Sequence, residues 1–155
     1  MVQRLFFWLL SLLLALPGRA EVVDIDNAEL ARLAGAGVPV IDIRTAGEWK
    51  QTGILPGSRL LTFFDEHGRA DPPAWLQQVQ AVAGPDQPVI VICRSGNRTR
   101  AASQFLSQQA GYRKVYNARE GIRSWIGEGR MLTPVPGALA TRSEEHTSEL
   151  QSLSS

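Results

Sequence analysis

The chain has 155 residues, 44% of them apolar, and its 16 lysines and arginines nearly balance its 15 acidic residues, for a formal charge of +1. This composition excludes a disordered or coiled-coil chain, and the near-neutral charge offers no basic surface for nucleic acid. The single cysteine excludes an internal disulfide framework and a zinc site built from several thiolates.

The first 20 residues have the pattern of a secretory signal peptide. Arg4 gives a short basic region, residues 5–16 form an apolar run interrupted only by Ser11, and small residues precede a cleavage point after Ala20. The run is too short for a membrane anchor, which needs about 20 apolar residues. We therefore expect residues 1–20 to be a signal peptide. The mature protein is expected to be periplasmic or secreted, with no stable membrane anchor after cleavage.

The C-terminal end differs in character from the rest of the chain. Residues 142–152 read RSEEHTSELQS, a string that resembles a translated sequencing adapter, and they have no hydrophobic period. They follow a segment rich in Pro and Gly at 133–137, where a domain would end. We expect one domain over residues 21–137, a disordered tail over 138–155, and a non-native sequence over 142–155.

Between these ends, helical patterns alternate with short runs rich in Val and Ile. Asp26 with Glu29 predicts a helix start of the capping-box type, and Gly35 and Gly37 end that helix. Asp71 followed by Pro72 predicts the start of a second helix. A third helix is predicted over 98–109, and a last helix contains Ile122, Trp125 and Ile126.

Four short runs are predicted to be strands, and they lie at 38–43, 58–61, 89–93 and 114–116. Continuous rather than alternating apolar character indicates strands that are buried on both faces, as in a parallel sheet. Strands that alternate with helices predict an α/β domain with a mostly parallel central sheet flanked by helices.

The segment around Cys93 carries the clearest chemical pattern. A buried strand leads into the cysteine, and a short polar loop with a central glycine then leads into a helix. Such junctions lie at the carboxyl edge of the sheet, where main-chain N–H groups and the helix dipole favour an anion. Arginines in the loop add positive charge and favour the thiolate. We predict that Cys93 is the catalytic nucleophile and that the following residues bind substrate: Arg94, Ser95, Gly96, Asn97, Arg98 and Thr99.

Cys93 belongs to an ordered set of four motifs. They are VIDIR at 40–44, EW with GILPGS at 48–58, CRSGNR at 93–98 and GIRSW at 121–125. Together they resemble the rhodanese family of sulfurtransferases over residues 22–130. Two positions depart from the family pattern: Ile54 stands where many members have histidine, and Glu120 replaces the first residue of a usual Gly-Gly pair.

The resemblance implies the three-layer rhodanese-like α/β fold and a two-step sulfur transfer. Cys93 takes the outer sulfur of thiosulfate or a similar small donor, becomes a persulfide, and passes the sulfur to cyanide or a thiol acceptor. No metal or organic cofactor is implied, and we expect a monomer. Asp42, Arg44 and Glu48 could form a catalytic acid–base set, but we favour a structural ion-pair cluster near the site.

The positions of other residues argue against three other uses of Cys93. A cysteine phosphatase loop has five residues between Cys and Arg, which would place the arginine at position 99, where this chain has Thr. A Cys–His hydrolase needs a histidine base, and His67 lies in a polar loop with no accompanying signature. A thiol–disulfide oxidoreductase needs a second cysteine. A non-catalytic sulfur-carrier or protein-binding module of the same family remains an alternative.

Overall fold

The computed structural model describes residues 20–137, which contain a five-stranded sheet. The strands are β1 (Glu21–Ile25), β2 (Val40–Asp42), β3 (Arg59–Leu60), β4 (Val89–Ile92) and β5 (Lys114–Ala118). Their spatial order is β1-β5-β4-β2-β3, and all four neighbouring pairs are parallel. The predicted α/β class with a parallel central sheet is confirmed.

Within the described residues, four α-helices connect successive strands and a fifth follows β5. They are α1 (Asn27–Gly35), α2 (Ala46–Thr52), α3 (Pro72–Val82), α4 (Asn97–Gln104) and α5 (Gly121–Gly127). A π-helical segment, Phe105–Gln109, continues α4. Helices α3 and α4 contribute to the core on one face of the sheet, and α1 and α5 contribute to the core on the other. The three-layer architecture is therefore confirmed, with one layer of helices on each side.

The central strand β4 shows why its sequence is apolar throughout. Val89 and Val91 belong to the core beneath α3 and α4, whereas Ile90 and Ile92 belong to the core beneath α1 and α5. All four side chains are fully buried. Successive side chains of a strand point to opposite faces, so a strand covered on both faces has no position for a solvated residue.

Polar side chains set the helix starts. The Asp26 carboxylate accepts from the Glu29 N–H at 2.9 Å, and the Asp71 carboxylate accepts from the Ala74 N–H at 3.1 Å, so both predicted caps are confirmed. The Glu29 side chain, however, binds Arg32 instead of completing a capping box. A complete capping box lies at Thr45 and Glu48, where α2 begins.

Several elements differ from the sequence predictions. The sequence does not predict strand β1 or helix α2, because β1 is an edge strand in which only Ile25 is buried and α2 buries no residue. The helix predicted over 98–109 is α-helical only to Gln104 and then becomes π-helical. Strand β5 extends two residues further than predicted, to Ala118. Each difference concerns a segment without a strong periodic apolar pattern.

The predictions for both ends of the chain remain predictions. The signal peptide falls almost entirely on residues 1–19, and the tail begins at residue 138, so both lie outside the described residues. Within residues 20–137, no helix has the length and apolar character needed to cross a membrane.

Candidate active site

Cys93 directly follows β4, at the carboxyl edge of the sheet. Its side chain is 1% exposed and forms the end of the core beneath α3 and α4. The Gly96 N–H donates to Cys93 Sγ at 3.1 Å, and Thr99 Oγ1 lies 3.8 Å from the same sulfur. The Thr99 hydroxyl donates to the Gly96 carbonyl at 2.9 Å and so closes the loop. One main-chain amide therefore binds the sulfur directly, where the sequence predicted several.

The loop keeps this shape because it packs against the junction between β5 and α5. Gly96 has a φ of +88°, and a Cβ there would lie 2.0 Å from the Arg119 carbonyl oxygen. On the other side, Gly121 has a φ of +67°, and its Cβ would lie 2.5 Å from the Arg94 carbonyl. Both positions need a residue without a side chain. Glu120, by contrast, has a φ of −98°, which any residue adopts, so this departure from the family pattern leaves the junction intact.

The first turn of α5 binds the carbonyl groups of the loop. The Ile122 N–H donates to the Cys93 carbonyl at 2.9 Å, and the Arg123 N–H donates to the Arg94 carbonyl at 3.1 Å. Helix N-terminal N–H groups have no acceptor within their own helix, and here the loop supplies it. The two loop carbonyls therefore face α5. The first turn of α4, which begins after Gly96, has N–H groups without intrahelical acceptors.

Arg98 forms a bidentate ion pair with Glu48. Its Nη1 and Nη2 donate to the two carboxylate oxygens at 2.7 and 2.6 Å. The Arg98 hydrogen bonds, helped by the Thr45 N–H, hold the pKa of Glu48 at about 2, although partial burial opposes this. Glu48 in turn raises the pKa of Arg98, with a smaller contribution from Cys93. The pair connects α2 to the loop and neutralises Arg98, one of the arginines that the sequence analysis assigned to the loop.

The Glu48–Arg98 pair predicts a specific acid response. Because the pKa of Glu48 is lowered from 4.5 to about 2 on folding, the pair stabilises the fold fully above pH 4.5 and loses this contribution as the pH falls toward 2. Urea midpoints should therefore separate wild type from Glu48→Gln by a constant amount from pH 7 to 5, and the two should converge below pH 4.5. Glu66→Gln, at an exposed position, is the control and should follow wild type throughout. A Glu48→Gln difference that persists at pH 2 would contradict this assignment.

Asp42 and Arg44 form a separate and fully buried pair. Arg44 Nη2 lies 2.7 Å from Asp42 Oδ2, and their side chains are 1% and 0% exposed. The guanidinium also donates to Thr52 Oγ1 at 2.7 Å and to the Gly53 carbonyl at 3.0 Å. This pair therefore fixes the end of β2 to the end of α2. The three residues predicted as one cluster thus divide into two ion pairs, since the Glu48 carboxylate binds Arg98.

The remaining predicted residues lie on the surface of the loop. Arg94, Ser95 and Asn97 are exposed. Arg94 also lines a cleft of about 280 Å³ between α2 and α5, which we call the α2–α5 cleft. It is also lined by Arg44, by Glu48 and Thr52 of α2, and by Ile122, Arg123 and Ile126 of α5. Sequence reasoning did not assign Arg123 to the site, although this residue lies inside the GIRSW motif.

Comparison with known proteins identifies the family of this chain. Residues 26–128 match the Rhodanese-like domain family. A sulfurtransferase of Allochromatium vinosum is 36% identical over 119 residues, which are 75% of this chain and 99% of the relative. Thiosulfate sulfurtransferase 18 of Arabidopsis thaliana is 29% identical over 110 residues, which are 68% of this chain and 79% of the relative.

Solved structures give the same result. The crystal structure of a rhodanese-related protein from Thermoplasma volcanium has a TM-score of 0.55 and 30% identity, and the match covers 72% of this chain and 97% of that one. The polysulfide-sulfur transferase of Wolinella succinogenes shares the fold with a TM-score of 0.57 at 19% identity, over 78% of this chain and 85% of that one. The chain therefore belongs to the family of rhodanese-like domains.

Proposed function

We propose that the protein is a sulfurtransferase that carries a sulfane sulfur as a persulfide on Cys93. The observation that carries the proposal is the position of Cys93 Sγ, which lies at the carboxyl edge of the sheet and accepts a hydrogen bond from the Gly96 N–H at 3.1 Å. A main-chain donor at this place stabilises negative charge on sulfur. The family membership and the sulfurtransferase names of two relatives support the same reaction class.

In the first step, the Cys93 thiolate attacks the outer sulfur of thiosulfate. A new bond forms between the two sulfur atoms, the S–S bond of thiosulfate breaks, and sulfite leaves with the electron pair. The enzyme then holds an anionic persulfide. The thiolate and thiosulfate together carry three negative charges, and so do the persulfide and sulfite. The step therefore needs no external oxidant or reductant. No general base is needed either once Cys93 is a thiolate.

In the second step, cyanide or an acceptor thiolate attacks the outer sulfur of the persulfide. The enzyme S–S bond breaks, its electron pair returns to Cys93, and the acceptor leaves with the sulfur. The two half-reactions share one covalent intermediate, so ping-pong kinetics are expected. Thr99 and the Gly96 N–H lie close enough to the sulfur to hold it in place through both steps.

The loop geometry favours this reaction over phosphate-ester hydrolysis. A phosphatase would need a free guanidinium over the phosphate oxygens. Here the side chain at position 99 is Thr, its Oγ1 lies 3.8 Å from the sulfur, and the guanidinium of Arg98 is bound to Glu48. The Arg98 guanidinium is therefore not free to bind the phosphate group of a substrate.

Intact-mass measurement tests the proposal directly. The purified chain incubated with thiosulfate should gain the mass of one sulfur atom, and cyanide should then remove it with release of thiocyanate. Cys93→Ser should gain no mass, because Cys93 is the chain's single cysteine. If the wild-type mass does not change, the proposal is wrong and a protein-binding module of the same family takes its place. If sulfur adds but cyanide and thiols do not remove it, the domain stores sulfur without turnover.

A further inference from the structure

A polar groove of about 640 Å³ lies at the β1 edge of the sheet, between β1 and the helix that α4 forms with its π-helical continuation. We call it the β1–α4 groove. Val22 and Asp24 of β1 line it with Asn117 of β5, and Asp24 and Asn117 are register partners in the sheet. Alternate residues of a strand share a face, so these side chains form the floor. The wall is a helical stripe of polar residues: Arg100, Gln104, Ser107 and Gln108.

Asn117 occupies a position where an apolar residue would be expected. It is 6% exposed, and Val115, on the same face of β5, is fully buried in the core. The Asn117 Nδ2 donates to Asp24 Oδ1 at 2.8 Å, whereas its buried Oδ1 accepts no hydrogen bond from the described residues. A buried oxygen without a donor costs free energy of folding. In return, Asn117 fixes the orientation of the Asp24 carboxylate at the groove.

Two opposite charges line this groove without pairing. Asp24 and Arg100 are both exposed. In the part of the chain that the structure describes, neither has an oppositely charged side-chain atom within 4.0 Å. They therefore also lie too far apart to neutralise each other. The groove fits a ligand that carries a positive and a negative group, because one such molecule can bind both side chains.

The rest of the lining favours a small polar ligand. The side-chain amides of Gln104 and Gln108 and the hydroxyl of Ser107 both donate and accept hydrogen bonds. The groove has the volume of about 21 water molecules, at about 30 Å³ each, which is enough for a small organic molecule with its hydration water. Ser107 and Gln108 belong to the π-helical segment, and such segments occur frequently at functional sites.

We propose that the β1–α4 groove binds a free α-amino acid whose side chain carries an amide or a hydroxyl group. Asp24, oriented by Asn117, binds the ammonium group, and Arg100 binds the carboxylate. Gln104 and Gln108 form hydrogen bonds with the ligand side chain. No covalent step is involved and Cys93 takes no part, so this proposal is independent of the sulfurtransferase activity.

Calorimetry with L-glutamine, L-asparagine and L-serine tests the proposal on the purified chain. Wild type should bind at least one of the three amino acids. Asp24→Asn and Arg100→Gln should each weaken that binding about fivefold, as expected for the loss of one exposed ion pair. Both positions are exposed, so both variants should fold. Glu21→Gln removes an exposed carboxylate of β1 outside the groove and should bind like wild type.

Derivatives of the amino acid that binds identify which charge each side chain recognises. The N-acetyl derivative lacks the ammonium group and the α-amide lacks the carboxylate, so wild type should bind each about fivefold more weakly. Asp24→Asn should no longer distinguish the N-acetyl derivative from the free amino acid, and Arg100→Gln should no longer distinguish the α-amide. If none of the three amino acids binds, or if wild type binds the derivatives as tightly as the free amino acid, the proposal is wrong.

Asn117→Val tests the positioning role of Asn117. The urea midpoint of this variant should be no lower than that of wild type, because valine suits a strand and removes the unpaired buried oxygen. Amino-acid binding should nevertheless weaken, because the Asp24 carboxylate loses the donor at 2.8 Å. A lower midpoint with unchanged affinity would show that Asn117 serves the fold and not the groove.

Discussion

The rate of sulfur transfer should be at least about 100-fold lower in Gly96→Ala than in wild type, although this variant keeps Cys93. A Cβ at position 96 would lie 2.0 Å from the Arg119 carbonyl oxygen and 2.9 Å from its carbon, and both atoms belong to the backbone. The loop must therefore move, and the Gly96 N–H that binds Cys93 Sγ at 3.1 Å moves with it. Removing one preorganised donor from a developing negative charge costs a factor of about 10² to 10³ in rate. Transfer from thiosulfate to cyanide measures the loss.

Gly111→Ala is the matched control for this variant. Gly111 has a φ of +74°, close to the +88° of Gly96, but no atom lies within 4 Å of its added Cβ. Both variants carry the cost of a left-handed backbone, about 1–2 kcal/mol for a residue with a side chain, so both should lower the Tm. Only Gly96→Ala should lose activity. A folded Gly96→Ala protein with more than a tenth of wild-type turnover would show that this amide does not support the reaction.

Asp42→Asn should destabilise the domain by about 3–5 kcal/mol, because it leaves a buried guanidinium without its counterion. Arg44 is 1% exposed, and within the described residues the carboxylate that pairs with it, at 2.7 Å, is that of Asp42. Its hydrogen bonds to Thr52 and Gly53 remain but supply no negative charge. Urea unfolding at pH 7 measures the change, with an unchanged m-value as the sign that the unfolded state is the same.

An exposed pair provides the comparison. Glu29→Gln removes the partner of Arg32, whose side chain is 65% exposed, and should change the urea midpoint far less than Asp42→Asn does, because water screens this pair. The contrast between the two variants isolates burial as the cause, since both replace a carboxylate by its amide. If Asp42→Asn were as mild as Glu29→Gln, water would reach Arg44 and the pair could not fix β2 to α2.

Local patterns were enough to predict the central features of the molecule. The strand before Cys93 is apolar at every position, so its burial on two faces followed from composition alone. The loop, its glycine and the next helix are contiguous in sequence, and their order predicts that Cys93 lies at the sheet edge. The sequence also predicts Asp26 and Asp71 as helix N-caps, because an N-cap and the N–H that it binds lie within four residues of each other.

Features that depend on distant residues could not be predicted in this way. Glu48 and Arg98 are 50 positions apart, and nothing near either residue identifies the other as its partner. Strand β1 pairs only with β5, and Glu21 binds Lys114 across 93 positions. The need for glycine at 121 arises from the Arg94 carbonyl, which the fold brings against it. In each case the constraint comes from a contact between residues that are far apart in the sequence.

The near-complete burial of Cys93 limits which reagents can reach its thiol. At 1% exposure, the thiol is shielded from bulky oxidants and from disulfides carried by other proteins, whereas a compact inorganic donor needs only a small opening. A bulky alkylating reagent should therefore modify Cys93 of the folded protein much more slowly than a small one, and the difference should disappear in the unfolded chain.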